Sequence, residues 1–269
     1  TFIVSLMTLF SEEDFLSWGW RIPFLLSSVL VLLGLWIRKD IDETPEFKQV
    51  KQSGQVAKAP LRDTLKYHWR EVLIAAGLKV VETAPFYIFS TFVVSYATTT
   101  LSYQKSQALE AVTLGALVAT VMIPLMGLLS DRIGRQKMYT LSVVLLGLFI
   151  VPWFLLLDTR STWGIALATV IAFGILWAPV TAVLGTLCSE IFSANVRYTG
   201  ITLGYQLGAA LAGGTAPLIA TGLLAKYDGD WIPVAWYLVG TVVISLIAIF
   251  CASRLKQAPG AVATRSKML

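Results

Sequence analysis

The sequence has few of the side chains that catalysis and metal binding most often use. Its 269 residues include one histidine, His68, and two cysteines, Cys188 and Cys251, each inside an apolar run. One histidine argues against a histidine-based metal site, and the two cysteines indicate buried thiols rather than a disulfide or a metal pair. Neither a Walker pattern nor a G-x-G-x-x-G motif is present, which argues against an ATP-driven pump. We therefore predict no metal, no cofactor and no enzymatic function.

Charged residues are also scarce. Only 14% of the residues are charged and 56% are hydrophobic, against about 25% and about 45–50% in a typical globular chain. This composition excludes an intrinsically disordered tail, a collagen-like fibre and a disulfide-stapled secreted module. It is typical of an integral membrane protein. The net charge of +5 is explained by the membrane topology below, so no nucleic-acid partner is predicted.

Long apolar runs predict an all-α, polytopic membrane protein. A membrane-spanning helix needs about 20 mostly apolar residues. The chain holds seven such runs. They cover residues 18–37, 72–96, 108–129, 138–157, 163–187, 199–224 and 232–253. Residues 1–10 are apolar but too short to span, and we interpret them as the tail of a helix whose start is missing.

The basic residues are distributed unevenly between the two ends of these spans. Sixteen of them lie in segments 38–70, 130–137 and 188–198 and in the tail after residue 253, whereas the opposite loops hold three. Cytoplasmic loops carry the excess of lysine and arginine. The first set of segments is therefore predicted to be cytoplasmic, and the carboxyl terminus with it.

The spans are grouped by one long polar segment. Residues 38–70 carry mixed charge and two prolines, as a solvated linker with short amphipathic helices does. We interpret residues 1–37 as the end of one bundle, residues 71–253 as a complete second bundle of six helices, and residues 254–269 as a cytoplasmic tail.

A charged motif connects the second and third spans of the six. Residues 127–137 follow the pattern G-x-x-x-D-R-x-G-R-x-K. Gly127 would let two helices approach closely, Asp131 would accept backbone N–H bonds at a helix start, and Gly134 would permit a tight reversal. An ordinary positive-inside turn is the alternative interpretation, although it needs neither the acid nor the glycines.

This motif resembles the signature loop of the major facilitator superfamily. Glu190, in the run Ser-Glu-Ile-Phe after the fourth span of the bundle, resembles the ion-pairing partner of that loop, which implies a pair with Arg132 or Arg135. The alternative is solvated surface charge. The residues of the implied conformational latch are Asp131, Arg132, Arg135, Glu190 and Arg197.

Further stretches are similar to the metabolite:proton symporter family of that superfamily. They are residues 19–24 (GWRIPF), 43–47 (ETPEF), 82–89 (ETAPFYIF) and 197–207 (RYTGITLGYQL). The resemblance implies a proton-linked carrier of α-ketoglutarate, citrate, shikimate, proline or betaine in a bacterial inner membrane. It also implies that the chain is truncated at its amino terminus and corresponds to the end of helix 5 and helices 6 to 12 of a twelve-helix fold. The implied partners are a solute, a proton, the lipid bilayer and the missing amino-terminal half.

Two charged residues lie inside the second span. Lys79 and Glu82 are three residues apart, on adjacent parts of one helix face. Charges at this depth must be paired, neutralised or placed against a water-filled cavity. We expect Lys79 to attract a solute carboxylate and Glu82 to exchange a proton; a structural pair that never touches solute is the alternative. Pro85 predicts a bend or unwinding just beyond, and Tyr87 continues the polar face.

The fourth and fifth spans of the bundle supply further candidates. Tyr205 and Gln206 could contact the solute, although an amide in a membrane more often joins helices. Gly204 and Gly208 form a small-xxx-small face that predicts close helix packing. Trp177 and Thr181, which flank a proline, are weaker candidates.

The sequence favours a proton-coupled symporter of a small organic acid, with a proline or betaine symporter as the second reading. A non-transporting membrane protein or membrane enzyme is the alternative from another class, but no cluster of catalytic side chains supports it. Because carriers of this kind hold solute between two bundles, we expect the 269-residue chain alone not to transport.

Overall fold

The structure is a computed structural model that describes residues 17–40 and 60–257. The predicted apolar stretch at 1–10, most of the predicted linker and the tail from residue 258 lie outside the described residues. In the described ranges the chain is helical between short turns, without strands, as predicted for an all-α protein. The helices are α1 (Ile22–Asp40, preceded by a 3₁₀ turn), α2 (Pro60–Tyr67), α3 (Trp69–Thr99), α4 (Lys105–Ile133), α5 (Arg135–Asp158), α6 (Thr162–Ser189), α7 (Arg197–Lys226) and α8 (Ile232–Gln257).

Seven of the described helices, all except α2, are long and apolar enough to cross a membrane. Six of them contain one of the predicted spans, and α1 with its preceding 3₁₀ turn covers the predicted first span from residue 19, so the predicted number and order of spans are confirmed. The helices extend beyond the predicted apolar runs by a few residues at most ends, because polar residues in the first and last turns continue the helix outside the apolar core. Helix α4, for example, runs from Lys105 to Ile133.

The chain divides into two compact units, residues 1–55 and 56–269. Helix α1 belongs to the first unit, and the large side chains of its apolar run are exposed within that unit. In the second unit, α3 packs against α7 and α8, α6 packs against α4 and α5, and α5 packs against α8. Helix α3 is therefore central to the six-helix bundle.

Aromatic side chains fill the bundle core beside the second half of α3. Trp153 of α5 is fully buried against the rings of Phe89 and Phe154, at centroid distances of 5.0 Å and 4.7 Å. The ring of Trp231 stacks on Phe154 at 4.8 Å. Large rings of this kind bury much area and lose few rotamers, and they hold this end of the bundle together without polar contacts to the helix backbone.

Three of the long helices widen to π-helical turns in mid-span. These turns are Ile88–Phe92 in α3, Val170–Leu176 in α6 and Ala209–Gly213 in α7. The unwinding predicted as one possibility at Pro85 is not found at that residue, because α3 remains α-helical through Pro85 to Tyr87. The departure from α geometry begins three residues later, where one extra residue is accommodated in the turn.

Helix α7 packs on α3 through its glycines, as its small-residue face predicts. A Cβ atom at Gly204 would lie 2.5 Å from Cβ of Ala75, and one at Gly208 would lie 2.7 Å from Cβ of Lys79. A side chain at either position would collide with α3. The spacing of the two glycines therefore sets how closely α7 approaches the charged residues of α3.

Replacing Gly204 with alanine is expected to lower the stability of the bundle by about 1–3 kcal/mol, because α7 must move away from Ala75. The melting temperature in lipid nanodiscs, followed by circular dichroism, measures the effect. Gly222→Ala is the matched control on the same helix: its Cβ would meet no atom within 4 Å, and alanine raises helix propensity by about 0.5–1 kcal/mol over glycine. Equal melting temperatures for the two variants would contradict the packing role of Gly204.

Candidate functional site

The intramembrane charges of α3 form an ion pair. The ammonium of Lys79 contacts Oε2 of Glu82, and the two side chains are 17% and 13% exposed. At 1.5 Å per residue, Glu82 lies about 20 Å from the start of a helix about 46 Å long, Trp69–Thr99. The pair therefore lies in the middle third of the span, where an unpaired charge would be most costly.

Two neighbouring helices complete the surroundings of the pair. Thr181 of α6 donates its hydroxyl to Oε1 of Glu82 at 3.3 Å, and Thr83 donates to Oε2 at 2.9 Å. Lys79 Nζ lies 4.8 Å from the ring centroid of Tyr205 on α7, a cation–π distance. Each oxygen of the carboxylate and the ammonium thus has a partner, and α3, α6 and α7 converge at the pair.

Of the other predicted site residues, Tyr205 joins the pair and two others do not. Tyr87 is 37% exposed and its ring packs against Phe86 at 5.4 Å. Gln206 is exposed. The reason is helical phase: Tyr87 follows Glu82 by five residues, about 140° around the helix, and Gln206 follows Tyr205 by about 100°. No contact of Tyr87 or Gln206 with the ion pair is found in the described ranges, and their predicted contact with solute stays a prediction.

Trp177 is closer to the pair than the sequence indicated. Its indole Nε1 donates to the backbone oxygen of Glu82 at 2.6 Å, in the turn where Pro85 has no N–H to offer. Its ring also contacts Phe86 and Phe173, at centroid distances of 5.3 Å and 5.1 Å. The aromatic cluster of α3 and α6 therefore contacts α3 at the backbone of Glu82.

Two further contacts to α3 come from residues that the sequence did not single out. The Tyr139 hydroxyl of α5 donates to the backbone oxygen of Leu78 at 2.6 Å. The Ser245 hydroxyl of α8 donates to the backbone oxygen of Gly77 at 2.6 Å. The signal for both is a hydroxyl in an otherwise apolar run, but such hydroxyls are common in membrane helices and usually bond within their own helix.

The predicted latch contains a three-residue chain of ion pairs. Arg135 Nη1 lies 2.7 Å from Oε1 of Glu190, and Arg135 Nη2 lies 3.1 Å from Oδ1 of Asp131. Of the two arginines offered by the sequence for Glu190, the structure therefore pairs Arg135. Arg132 is exposed and takes no part in the ion pairs found in the described ranges. Arg197 donates from Nε to the backbone oxygen of Phe192 at 3.4 Å.

Of the structural roles predicted for Gly127, Asp131 and Gly134, the structure shows only that of Gly134. Gly134 has φ of +95° between α4 and α5, so the reversal predicted there is present and favours glycine. Asp131 is in the last turn of α4, not at a helix start, so its predicted capping role is wrong and its carboxylate binds Arg135 instead. A Cβ atom at Gly127 would meet no atom within 4 Å, so the predicted close approach is not found among the described residues.

Metal binding finds no support in this part of the molecule. In residues 17–40 and 60–257, no three His, Cys, Asp or Glu side chains are grouped so that they could hold an ion.

Comparison with known proteins assigns the fold. The family profile described as Major Facilitator Superfamily matches residues 14–213 and 81–268. The shikimate transporter of Escherichia coli K12 is 34% identical over 90% of this chain and 56% of its own length. The alpha-ketoglutarate permease and the proline/betaine transporter of the same strain are each 30% identical over 91% of this chain, and over 55% and 50% of their own lengths. No solved structure shows a significant match.

The chain belongs to the major facilitator superfamily, and its curated relatives are metabolite permeases of that superfamily. The relatives are membrane transporters, not enzymes. The chain spans about half the length of the curated relatives it matches.

Replacing Arg135 with glutamine removes both contacts of the ion-pair chain and leaves Asp131 and Glu190 without their shared cation. Amide hydrogen exchange of residues 186–192 is expected to quicken by about twofold to fivefold, since exposed ion pairs are weak. Arg132→Gln is the control, because the same charge is removed from the same loop without loss of an ion pair. A similar increase in both variants would show that net charge, not the Arg135–Glu190 contact, protects this segment.

Proposed function

We propose that the chain is the carboxyl-terminal bundle of a proton-coupled symporter for a small organic acid in a bacterial cytoplasmic membrane. The observation that carries the proposal is the Lys79–Glu82 ion pair in the middle of α3. In the complete carrier, a second bundle supplies the other wall of the solute site. The orientation with the carboxyl terminus in the cytoplasm follows the distribution of basic residues.

The pair couples proton and solute because Lys79 needs an anion. In the apolar interior an uncompensated ammonium is strongly unfavourable. Glu82 supplies the anion in the empty site. When Glu82 takes up a proton, a solute carboxylate replaces it beside Lys79, and the site remains neutral with one proton and one monocarboxylate bound. Competition of two carboxylates for one ammonium thus makes solute binding depend on the proton.

The neighbours of the pair connect this chemistry to helix movement. Thr181 on α6 and Tyr205 on α7 each contact one of the two charges. A displacement of α6 or α7 relative to α3 therefore changes the environment of the carboxylate or of the ammonium. The Arg135–Glu190 contact holds the predicted cytoplasmic end of α5 to the segment after α6, and we propose that it forms in one state of the transport cycle and breaks in another.

The names of the relatives support an organic acid. One is a shikimate transporter and another an alpha-ketoglutarate permease, and the solutes in both names are net anions at neutral pH, whereas proline and betaine are zwitterions. A zwitterionic osmolyte is the second candidate, because other relatives are proline/betaine transporters and the ring of Trp177, packed on Phe86, hydrogen-bonds to the backbone of Glu82. Aromatic rings attract quaternary ammonium groups.

Replacing Glu82 with glutamine tests coupling. The amide keeps the size and hydrogen-bonding capacity of the protonated acid but binds no proton. In proteoliposomes of the full-length polypeptide, pH-gradient-driven accumulation is expected to be abolished, whereas solute counterflow persists. Glu110→Gln is the control, because Glu110 is an exposed carboxylate of α4. Full proton-driven uptake by Glu82→Gln would rule out the coupling role of Glu82.

Removing Lys79 tests the solute class. The comparison is between Glu82→Gln and the double variant Lys79→Gln/Glu82→Gln, so that no carboxylate is left unpaired. A hydrogen bond to a charged group contributes about 1.5–3 kcal/mol, so the KM of counterflow for shikimate or α-ketoglutarate is expected to rise about tenfold or more. An unchanged KM would place the solute away from Lys79. Counterflow of glycine betaine without counterflow of either acid would favour the osmolyte.

A further inference from the structure

Side chains from three helices contact the backbone of α3 beside the ion pair. Ser245 of α8 bonds to Gly77 and Val81, Tyr139 of α5 to Leu78, and Trp177 of α6 to Glu82. The backbone atoms concerned lie within residues 77–82, the helical turn that carries Lys79 and Glu82. The contribution of α8 to these contacts is the hydroxyl of Ser245.

The Ser245 hydroxyl bridges the N–H and the C=O group of one backbone hydrogen-bonding pair of α3. Its hydroxyl accepts from the Val81 N–H at 3.1 Å and donates to the Gly77 oxygen at 2.6 Å. In a regular α-helix the N–H of residue 81 is directed at the oxygen of residue 77. The hydroxyl of a neighbouring helix therefore contacts both members of that pair. Ser245 is fully buried, at 0% exposure.

The close approach of α8 makes this bridge possible. A Cβ atom at Gly77 would lie 2.8 Å from Cβ of Ala248, so α8 reaches α3 only because residue 77 has no side chain. Ala248 lies one turn beyond Ser245 on the same face of α8. Glycine on one helix and alanine on the other thus bring the hydroxyl within reach of the α3 backbone.

Ser245 differs from two other buried aliphatic hydroxyls of the bundle, Ser142 and Thr241. Ser142 of α5 is also buried and donates to the oxygen of Met138, four residues earlier in its own helix. Thr241 of α8 likewise donates within its own helix, to the backbone oxygen of Leu238 three residues earlier. Such a bond within the helix satisfies a hydroxyl at little cost. A hydroxyl that instead bonds to two backbone groups of another helix fixes the rotation of one helix against the other.

We propose that Ser245, together with Tyr139, is a positioning residue for the Lys79–Glu82 pair. It fixes the rotation of the turn at residues 77–82, so that the Glu82 carboxylate reaches Thr181 and the Lys79 ammonium lies over Tyr205. Its importance for transport rests on the proposed function, whereas its effect on the geometry of the pair does not.

The titratable groups that face the pair determine which protonation events a pH experiment can report. Besides Lys79 and Glu82 themselves, α7 contributes Tyr205, α6 contributes Cys188, and α5 contributes Tyr139. All three are weak acids that stay neutral near pH 7. A carboxyl-specific reagent therefore reports the state of Glu82 and not of these three groups.

The test measures labelling of Glu82 by dicyclohexylcarbodiimide, which adds to protonated carboxyl groups. The whole chain in lipid nanodiscs is labelled between pH 5 and 8 and the product quantified by mass spectrometry. Ser245→Ala is expected to shift the labelling profile upward by about half a pH unit, or about threefold in rate at fixed pH, because Lys79 holds the carboxylate less firmly. Tyr139→Phe is expected to shift it in the same direction.

Ser142→Ala is the matched control, since it removes a buried hydroxyl that bonds within its own helix, and its profile is expected to coincide with that of the unsubstituted chain. An unshifted profile for Ser245→Ala and Tyr139→Phe, or an equal shift in Ser142→Ala, would overturn the proposal. If Ser245→Ala does not fold, as judged by its melting curve, Tyr139→Phe decides. Labelling needs no transport, so a carrier without proton coupling would leave this result intact.

Discussion

Pairing of charge in an apolar medium is the constraint on which the rest of the bundle depends. A lysine or an acid at the centre of a membrane helix costs about 2.5–3.5 kcal/mol on insertion scales, and Lys79 and Glu82 reduce that cost by lying together on one face of α3. The small residue that packs beside the pair serves the same requirement. Gly208 lies against the Lys79 side chain and allows Tyr205, one turn earlier on α7, to place its ring beside the ammonium.

The backbone of α3 obeys a related rule. Polar backbone groups inside a membrane need partners within the protein, and Pro85 removes one donor from the ladder of α3. Donors from other helices are concentrated around this weakened stretch: Tyr139 and Trp177 donate to its carbonyl oxygens, and Ser245 both donates and accepts. The turn that carries Lys79 and Glu82 is therefore held by hydrogen bonds from three neighbouring helices, and Pro85 and the π turn at Ile88–Phe92 follow it directly.

What the sequence could and could not predict reflects the range of each interaction. The spans, the charged loop and the packing of Gly204 and Gly208 were predictable because hydropathy, charge and glycine spacing act locally. Arg135 could not be chosen over Arg132, because the choice depends on where α6 ends in space. Ser245 and Ser142 are both serines within apolar runs of the sequence. Only the structure shows that Ser245 bonds to α3, whereas Ser142 bonds within its own helix. Gln206 was grouped with Tyr205 by proximity along the chain, although helical phase turns its side chain about 100° away.

Helix α6 connects the ion pair to the charged loop. Its second α-helical part, Ala178–Ser189, begins beside Trp177, carries Thr181 against Glu82 and ends next to Glu190, which binds Arg135. Thr181 and Glu190 are nine residues apart, or about 13 Å along a regular helix. A straight helix of this length moves as one body, whereas the π turn at Val170–Leu176 just before it is where such a movement can be absorbed. If Glu190 separates from Arg135 by tilting of this segment, as the proposed function requires, Thr181 is displaced from the Glu82 carboxylate as well. The contacts of the two charged sites thus share one helix.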